Sequence, residues 1–547
     1  MVNKEFRLDD ERQFDRSGPV KWITSHLIQY PWLPLVAIVA TVFNNFAASY
    51  IQVLIGRGFD VINQATWVNS ALIAVALAVF GSALVQGVMG LARNSSFEFM
   101  AQRVERDTRD EMYISLLGKS QTFHNKQRIG DIMARATNDV RQLNVMFNPG
   151  LMLITDSLVG LVAPIVLILQ MDYRLLLVPF LFIILFLITI TDYSHRLGPV
   201  SESLRASFGT MNAGLAETIN GIEVVKGNAQ EQQEQDKFVH DAGIYRDYAI
   251  REGEVQARYL PMLVFSICWG LAFLHAMLLW QGGSLTLGQV VAYVGLFAML
   301  RFPTFISLFS IQQIQLGIAS ARRILALINT ETEMDENEVG ISKTMDGAVE
   351  FRHVSFSYGT PANGNGSGEA AYVLKDVSFS VEPGETVAIV GQTGSGKSTL
   401  TRLINRIFDA DTGEVLVDGI NVRDWNMESL RSQISTIEQD VFLFSRTIAE
   451  NIAFGKPDAT QEQIEQAARE AQAHDFIMGF EDGYETEVGE RGVNLSGGQR
   501  QRIAIARAFL TTPISLSLMT VPAPSTAPPR TISSRPCTAS ASSARPS

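Results

Sequence analysis

Apolar residues in the first 320 positions fall into six runs, near 33–55, 70–92, 149–170, 175–191, 259–280 and 286–308. A helix that crosses a bilayer needs about 20 mainly apolar residues. From Tyr259 to Leu300 no Asp, Glu, Lys or Arg interrupts the pattern, and WQGGSLTLG supplies a turn between two spans. A buried soluble helix could account for any one run; six in succession predict a membrane domain. The connections alternate in size. The third and fourth runs are joined by little more than MDYR, 171–174, whereas the connections 93–148 and 192–258 are long and hold nine and seven Lys or Arg. Positive residues mark the cytoplasmic side, so both termini and both long loops are expected there, with the loops extending the membrane helices inward. WITSHLIQY, 22–30, fits either a helix lying at the interface or a frayed start to the first span.

Composition adds to this picture. The chain has 547 residues, enough for two or three domains. Only 18% are charged and mean hydropathy is +0.13, which fits lipid exposure for part of the chain. A net charge of -12 argues against a nucleic-acid partner. Two cysteines, Cys268 and Cys537, make no disulfide framework or thiolate metal site. The charged N-terminus shows no signal-peptide pattern, and the expected location is a multi-pass place in the plasma (inner) membrane. Asp156 and Arg301 fall at apparent membrane depth, where charges are costly and face protein or water. For Arg301 the favoured place is a translocation cavity. For Asp156 it is the cytoplasmic end of its helix, outside the lipid.

After the polar stretch 329–347 the period changes. VEFRHVSFSY, 349–358, alternates like a strand. VLKDVSFSVEPGETVAIV predicts further strands around a Pro-Gly turn and runs into GQTGSGKST, 391–399. Strand, glycine loop and helix in that order make a phosphate loop. Gly391, Gly394 and Gly396, with Gln392, Thr393 and Ser395 between them, let backbone amides point at phosphate oxygens. Lys397 bridges the β- and γ-phosphates, Ser398 holds Mg2+, and the helix start through Thr399 offers its positive end. Kinases, GTPases and ATPases all use such a loop.

Three further segments narrow the choice: Gln439 within STIEQDVFLFSRTIAENIAFG, TEVGERG at 486–492, and LSGGQRQR at 495–502. With these the chain resembles a half-size ABC exporter over roughly residues 20 to 513. The resemblance implies ATP and Mg2+ as cofactors. It gives Tyr358 the adenine-stacking role, although PANGNGSGEA, 361–370, interrupts the usual spacing. Gln439 becomes the lid residue that senses Mg2+ and the attacking water, and so the one catalytic position assigned here. Ser496, Gly497, Gly498 and Gln499 become the signature that closes over the nucleotide of a second subunit. RIGDIMARATNDV, 128–140, and AETINGIEVVKGNAQE, 216–231, resemble the force-transmitting segments of the two inner loops.

The same resemblance leads to expect, after TTP at 511–513, a strand of four apolar residues ending in two acids, and later a histidine. From 514 onward there is no Asp, Glu or His. LMTVPAPSTAPP, 518–529, back-translates with chosen synonymous codons into a shifted frame that reads LDDSTSAVDSAT, close to the missing motif. The expectation is a frameshift near Pro513. The fold expected is a six-helix transmembrane exporter domain followed by an incomplete α/β phosphate-loop NTPase (ABC ATPase) domain. Its bounds are 1–32 for the cytoplasmic N-terminus, 33–325 for the spans, 326–348 for a linker, 349–513 for the nucleotide domain and 514–547 for a disordered tail. The expected function is ATP-driven export of a lipid, drug or other amphiphile as one half of a dimer, with hydrolysis lost. The second acid of the shifted frame is Asp, which favours a heterodimer; a homodimer stays open. The rivals are a truncated, non-hydrolysing regulatory subunit and an importer permease.

Overall fold

Six helices among the described residues are long and apolar enough to cross a membrane: Trp32–Ile62, Asn69–Leu117, Ile129–Met171, Tyr173–Asn220, Glu231–Gln281 and Leu287–Asn329. The computed structural model describes residues 4–6, 12–64, 69–332, 334–359, 372–392, 394–489, 492–511 and 513–518. The two long loops are mostly helix, as their sequence predicts. Ion pairs one turn apart, Arg109–Glu105 and Arg196–Asp192, support the helices beyond their apolar stretches. A separate helix, Pro19–Ile28, precedes the first span. The chain breaks before Pro31, which disfavours helical backbone at the residue ahead of it, so the first span has no frayed start at 22–30.

The chain divides into two compact units. One comprises 13–111 and 134–327; the other comprises 112–133 and the chain from 328, together with the N-terminal residues up to 12.

In the membrane unit, Phe182, Phe265 and Phe297 from three spans form an aromatic core with ring centroids 5.7 to 6.0 Å apart. The Tyr293 hydroxyl donates to the Leu175 carbonyl at 3.0 Å beside it. Helices Trp32–Ile62 and Leu287–Ala298 meet through glycines. A Cβ on Gly56 would run into the Gly288 carbonyl oxygen, and one on Gly295 would lie 2.5 Å from Gln52 Oε1. Small residues allow this approach, which gives dispersion contact where lipid offers no hydrophobic drive. Asp60 secures the junction, accepting from Thr286 Oγ1 at 2.7 Å and Gly288 N at 2.8 Å. Gly56→Ala is expected to destabilise the protein by about 1–2 kcal/mol through overpacking. Thermal unfolding in detergent checks this against Gly81→Ala, whose Cβ meets nothing within 4 Å.

In the other unit, β1 (Val349–Phe356) pairs antiparallel with β2 (Leu374–Val381) on one side and β3 (Thr412–Val417) on the other. The short β4 (Ile420–Asn421) closes the edge. Alternate residues point inward, so Phe351, Val354, Val415 and Val417 pack with Trp425 and Leu430 in one core. A second core of helices gathers Leu443, Ile448, Ile477, Ile503 and Ala506. Residues 385–390, expected as a strand, join no ladder among the described residues, although Val387 is buried.

Pro513 does not interrupt this domain, so the expected incomplete NTPase domain is not what the chain forms. β6 (Ser515–Leu518) lies parallel to β5 (Ile434–Ile437), in register from Ile434↔Ser515 to Ile437↔Leu518. Ile514 N–H donates to the Gln433 carbonyl at 3.0 Å, and the Ile514 side chain packs against the sheet core. The strand that was expected to be missing is therefore present, and β5 is not left unpaired. Its signal in the sequence is the alternation Ser-Leu-Ser-Leu, the period of a strand. The Ser and Pro content of 514–547, which suggests a tail, masks that short period. The rest of the expected tail, 519–547, lies outside the described residues.

Candidate functional site

The phosphate loop turns where glycine is needed. Gly394 and Gly396 have φ of +85° and +86°, the left-handed region that strains other residues. A Cβ on Gly396 would also lie 2.6 Å from Leu374 Cδ2, and one on Gly391 would come within 2.7 Å of Ser395 Oγ. Ser395 N–H donates to the Gln392 carbonyl at 3.2 Å, which tightens the turn. Thr393 lies outside the described residues. Lys397 opens the helix Lys397–Ile404, with Ser398 and Thr399 in its first turn, and Leu400 and Leu403 anchor that helix in the sheet core.

The Lys397 ammonium donates to the carbonyls of Gly391 and Gln392 at 2.9 and 2.8 Å. Among the described residues it has no carboxylate partner, so its charge is matched only by neutral carbonyls. A positive group, a glycine turn and a helix start converge here, and this set fits a nucleotide phosphate with its magnesium ion. Tyr358 is brought to the same helix. Its hydroxyl lies 2.9 Å from Thr399 Oγ1, and its ring stands edge-on to Phe356 and Phe408 with centroids at 5.0 and 5.3 Å.

Gln439 follows β5 and is exposed. Its neighbour Glu438 pairs with Arg402 at 3.3 Å. Both line a cavity of about 270 Å³ together with Gln121 and Asn125, from the helix Gln121–Lys126 of the first long loop. That loop segment thus belongs to the nucleotide unit.

The signature occupies the start of the helix Gly497–Leu510. Ser496 and Gln499 form a reciprocal cap: Gln499 N–H donates to Ser496 Oγ at 3.3 Å and Ser496 N–H to Gln499 Oε1 at 2.8 Å. The sequence reading gives these two residues to the nucleotide alone and misses the cap, although S-x-x-Q is its pattern. A Cβ added to Gly497 or Gly498 meets nothing within 4 Å. The signature helix rests on the helical core through Ile503 and Ala506, not on the sheet core that carries the phosphate loop. Arg507 ties the helix down, donating to the carbonyls of Asn451 at 2.8 Å and Phe442 at 3.3 Å; burial lowers its pKa. His474 lies apart from the loop, with Nδ1 2.9 Å from the Tyr484 hydroxyl, whose pKa burial pushes up to about 12. Glu490 and Arg491 of TEVGERG are outside the described residues. Residues 514–547 contain no Asp, Glu or His.

The membrane unit holds a cavity of about 880 Å³ lined by Asn45, Asp156, Tyr259 and Arg301 among others. Asp156 therefore joins Arg301 there instead of standing apart from it. Its Oδ1 accepts from Arg93 Nη1 at 2.5 Å and Asn45 Nδ2 at 2.8 Å. Neither partner stands out in the sequence, because Arg93 falls where the second apolar run ends and reads as loop charge.

Six spanning helices fused to an α/β domain with a phosphate loop and a capped signature define a nucleotide-driven membrane transporter. Known proteins agree. The family model for the ABC transporter matches residues 374–518, and that for the ABC transporter transmembrane region matches 35–304. The "Putative multidrug export ATP-binding/permease protein YgaD" of Bacillus subtilis is 36% identical over 431 residues, which span 77% of this chain and 72% of that one. A protein of the same description from Staphylococcus aureus is 33% identical over 463 residues, 82% of this chain and 77% of its own. The structure of a bacterial Atm1-family ABC exporter with ATP bound superposes with a TM-score of 0.71 at 25% identity, covering 91% of this chain and 85% of that one. The chain belongs to the ABC transporter family.

These matches correct three expectations. The ABC transporter match runs through Leu518 and so includes β6. The chain is thus a fused exporter with a largely intact ATP-binding domain, not a half-transporter truncated and frameshifted after its signature. ATP-driven export stands, and nothing supports the expected loss of hydrolysis or the non-hydrolysing regulatory subunit. The protein is a multi-pass membrane protein with ATP as cofactor. At the level of the family it is a dimeric exporter in a membrane, acting on amphiphilic substrates.

Proposed function

We propose that the chain exports amphiphilic drugs or lipids across the plasma (inner) membrane, with both termini cytoplasmic, as one subunit of a dimer. ATP lies between the phosphate loop of one subunit and the signature of the other. When bound, it supplies the phosphate charge that draws the two surfaces together. Lys397 contacts the phosphates, Ser398 and Gln439 hold the metal, and Tyr358 stacks on the base. The signature offers a helix N-terminus and the Ser496 hydroxyl to the partner's nucleotide.

The open space around Gly497 and Gly498 is the observation that carries this reading. Both lie in the first turn of the helix with no positive φ, so the backbone does not require glycine there, and nothing inside the chain crowds them. Their smallness serves a close approach from outside. The short helix Ile222–Gly227 in the second long loop adds to this. Its Val224 is 68% exposed, an apolar tip that suits cover by a second subunit. The heterodimer expectation rests on the shifted reading frame and loses its ground with it; a second copy of this chain is sufficient.

The test is Gly498→Ala in the chain reconstituted into liposomes. ATP turnover and ATP-dependent dye transport are expected to fall about tenfold, because a methyl group holds the closing surfaces apart. Binding of a fluorescent ATP analogue to the open protein should stay unchanged. Turnover and transport equal to the parent chain would remove the role of the signature as the second half of the site.

A further inference from the structure

The membrane cavity is charged, and its charges do not cancel. Asp156 is negative, but Arg93 bonds it directly and Asn45 shares the same oxygen. Arg93 and Asp156 side chains are 15% and 17% exposed, so this pair is largely withdrawn from solvent. Arg301 also lines the cavity; it is exposed and has no carboxylate or hydrogen-bond partner among the described residues. The three side chains thus leave one net positive charge, and Arg301 carries it.

Two helices are interrupted at the same cavity. The helix Glu231–Ala257 ends at Arg258, and the next begins at Leu260. The helix Leu287–Ala298 ends at Met299, and Arg301 begins the following one. The Tyr259 hydroxyl donates to the Thr304 carbonyl at 2.6 Å and so holds the two interruptions together. Irregular backbone within spanning segments is tolerated where it is covered by protein or lines a wet cavity. A charged side chain kept in such a place marks function more often than packing. The remaining wall includes Met262, Phe302 and Phe305, an apolar surface beside the guanidinium.

We infer that this cavity selects amphiphiles with an anionic head, a carboxylate, sulfonate or phosphate on an apolar body, and that Arg301 is the residue that reads the head. Arginine matches such groups with two parallel N–H donors. Asp156 is unavailable to attract a cation while Arg93 neutralises it. The apolar body lies against the methionine and phenylalanine wall. A cavity of about 880 Å³ is within the usual range for a ligand pocket and holds a single-tailed amphiphile. This inference deepens the export reading and rests on it, since it gives that activity a substrate class.

The test uses the full chain in phosphatidylcholine nanodiscs, with empty nanodiscs subtracted. The probes are a dansylated undecanoic acid, which is anionic, and rhodamine 6G, which is cationic. The carboxylate probe should bind, and Arg301→Gln should weaken it by about tenfold or more, as loss of a charge-assisted bond implies. Arg301→Lys should keep most of the affinity, and rhodamine 6G binding should not fall in either variant. Competition by phosphatidylglycerol in the nanodisc would assign the site to a membrane lipid; competition by taurocholate alone would assign it to a soluble amphiphile. An Arg301→Gln chain that binds the carboxylate probe within twofold of the parent overturns the inference. So does a parent chain that prefers the cation. Lys397→Ala should lose ATP turnover and keep probe binding. If no chain turns over ATP, the export reading fails, while probe binding still decides the role of Arg301.

Discussion

Lys397→Ala is expected to lower MgATP affinity by about 100-fold and to reduce ATP turnover to background. The size follows from the loss of charge-assisted bonds to two phosphates, at about 1.5–3 kcal/mol each before partial compensation by water. In the structure the Lys397 ammonium rests on the Gly391 and Gln392 carbonyls. These oxygens lie on an exposed loop, so they take up water when the side chain is removed and the fold is not at risk. The change should therefore leave the melting temperature without nucleotide within a degree or two of the parent. What disappears is the upward shift of melting temperature on adding MgATP, since a ligand stabilises only in proportion to its binding. Isothermal titration gives the affinity and a phosphate-release assay the turnover. A Lys397→Ala chain that still gains the parent's thermal shift would show that the phosphates are held elsewhere.

Much of this was legible in the sequence, for identifiable reasons. The spans are visible because lipid demands about 20 consecutive apolar residues, a constraint that composition alone reveals. The phosphate loop is visible because positive φ at Gly394 and Gly396 demands glycine, and the following helix must start at Lys397. Pairings between distant segments leave no such trace. Arg93 and Asp156 meet from helices 63 residues apart in sequence, and Asp60 caps a helix 228 residues away; neither partner alone looks unusual. Ser496 and Gln499 show a different limit. One motif can carry both a local cap and a role toward a partner, and recognition of the second hides the first. β6 shows the same limit: the acids that the family resemblance implies after Pro513 are absent, while the Ser-Leu alternation that forms the strand is present.

Leu516→Pro is expected to destabilise the nucleotide domain by about 2–3 kcal/mol, with Ser517→Pro costing less. In a parallel ladder, N–H groups that point to one neighbour recur at every second residue. Ile514 N–H donates to the Gln433 carbonyl, so the N–H groups of 516 and 518 also face β5. Leu516 stands opposite Ser435 in the register. Proline there removes a ladder donor and leaves a β5 carbonyl unpaired. At 517 the lost donor faces the other way, toward a side with no ladder among the described residues. Both prolines restrict the unfolded chain alike, and Leu516→Ala gives the cost of losing the leucine side chain, so the excess of Leu516→Pro over Leu516→Ala and Ser517→Pro reports the native pairing. Denaturant unfolding followed by loss of MgATP binding measures it. A segment outside the fold would tolerate both prolines equally. A clear deficit for Leu516→Pro alone would place β6 in the sheet of the working protein.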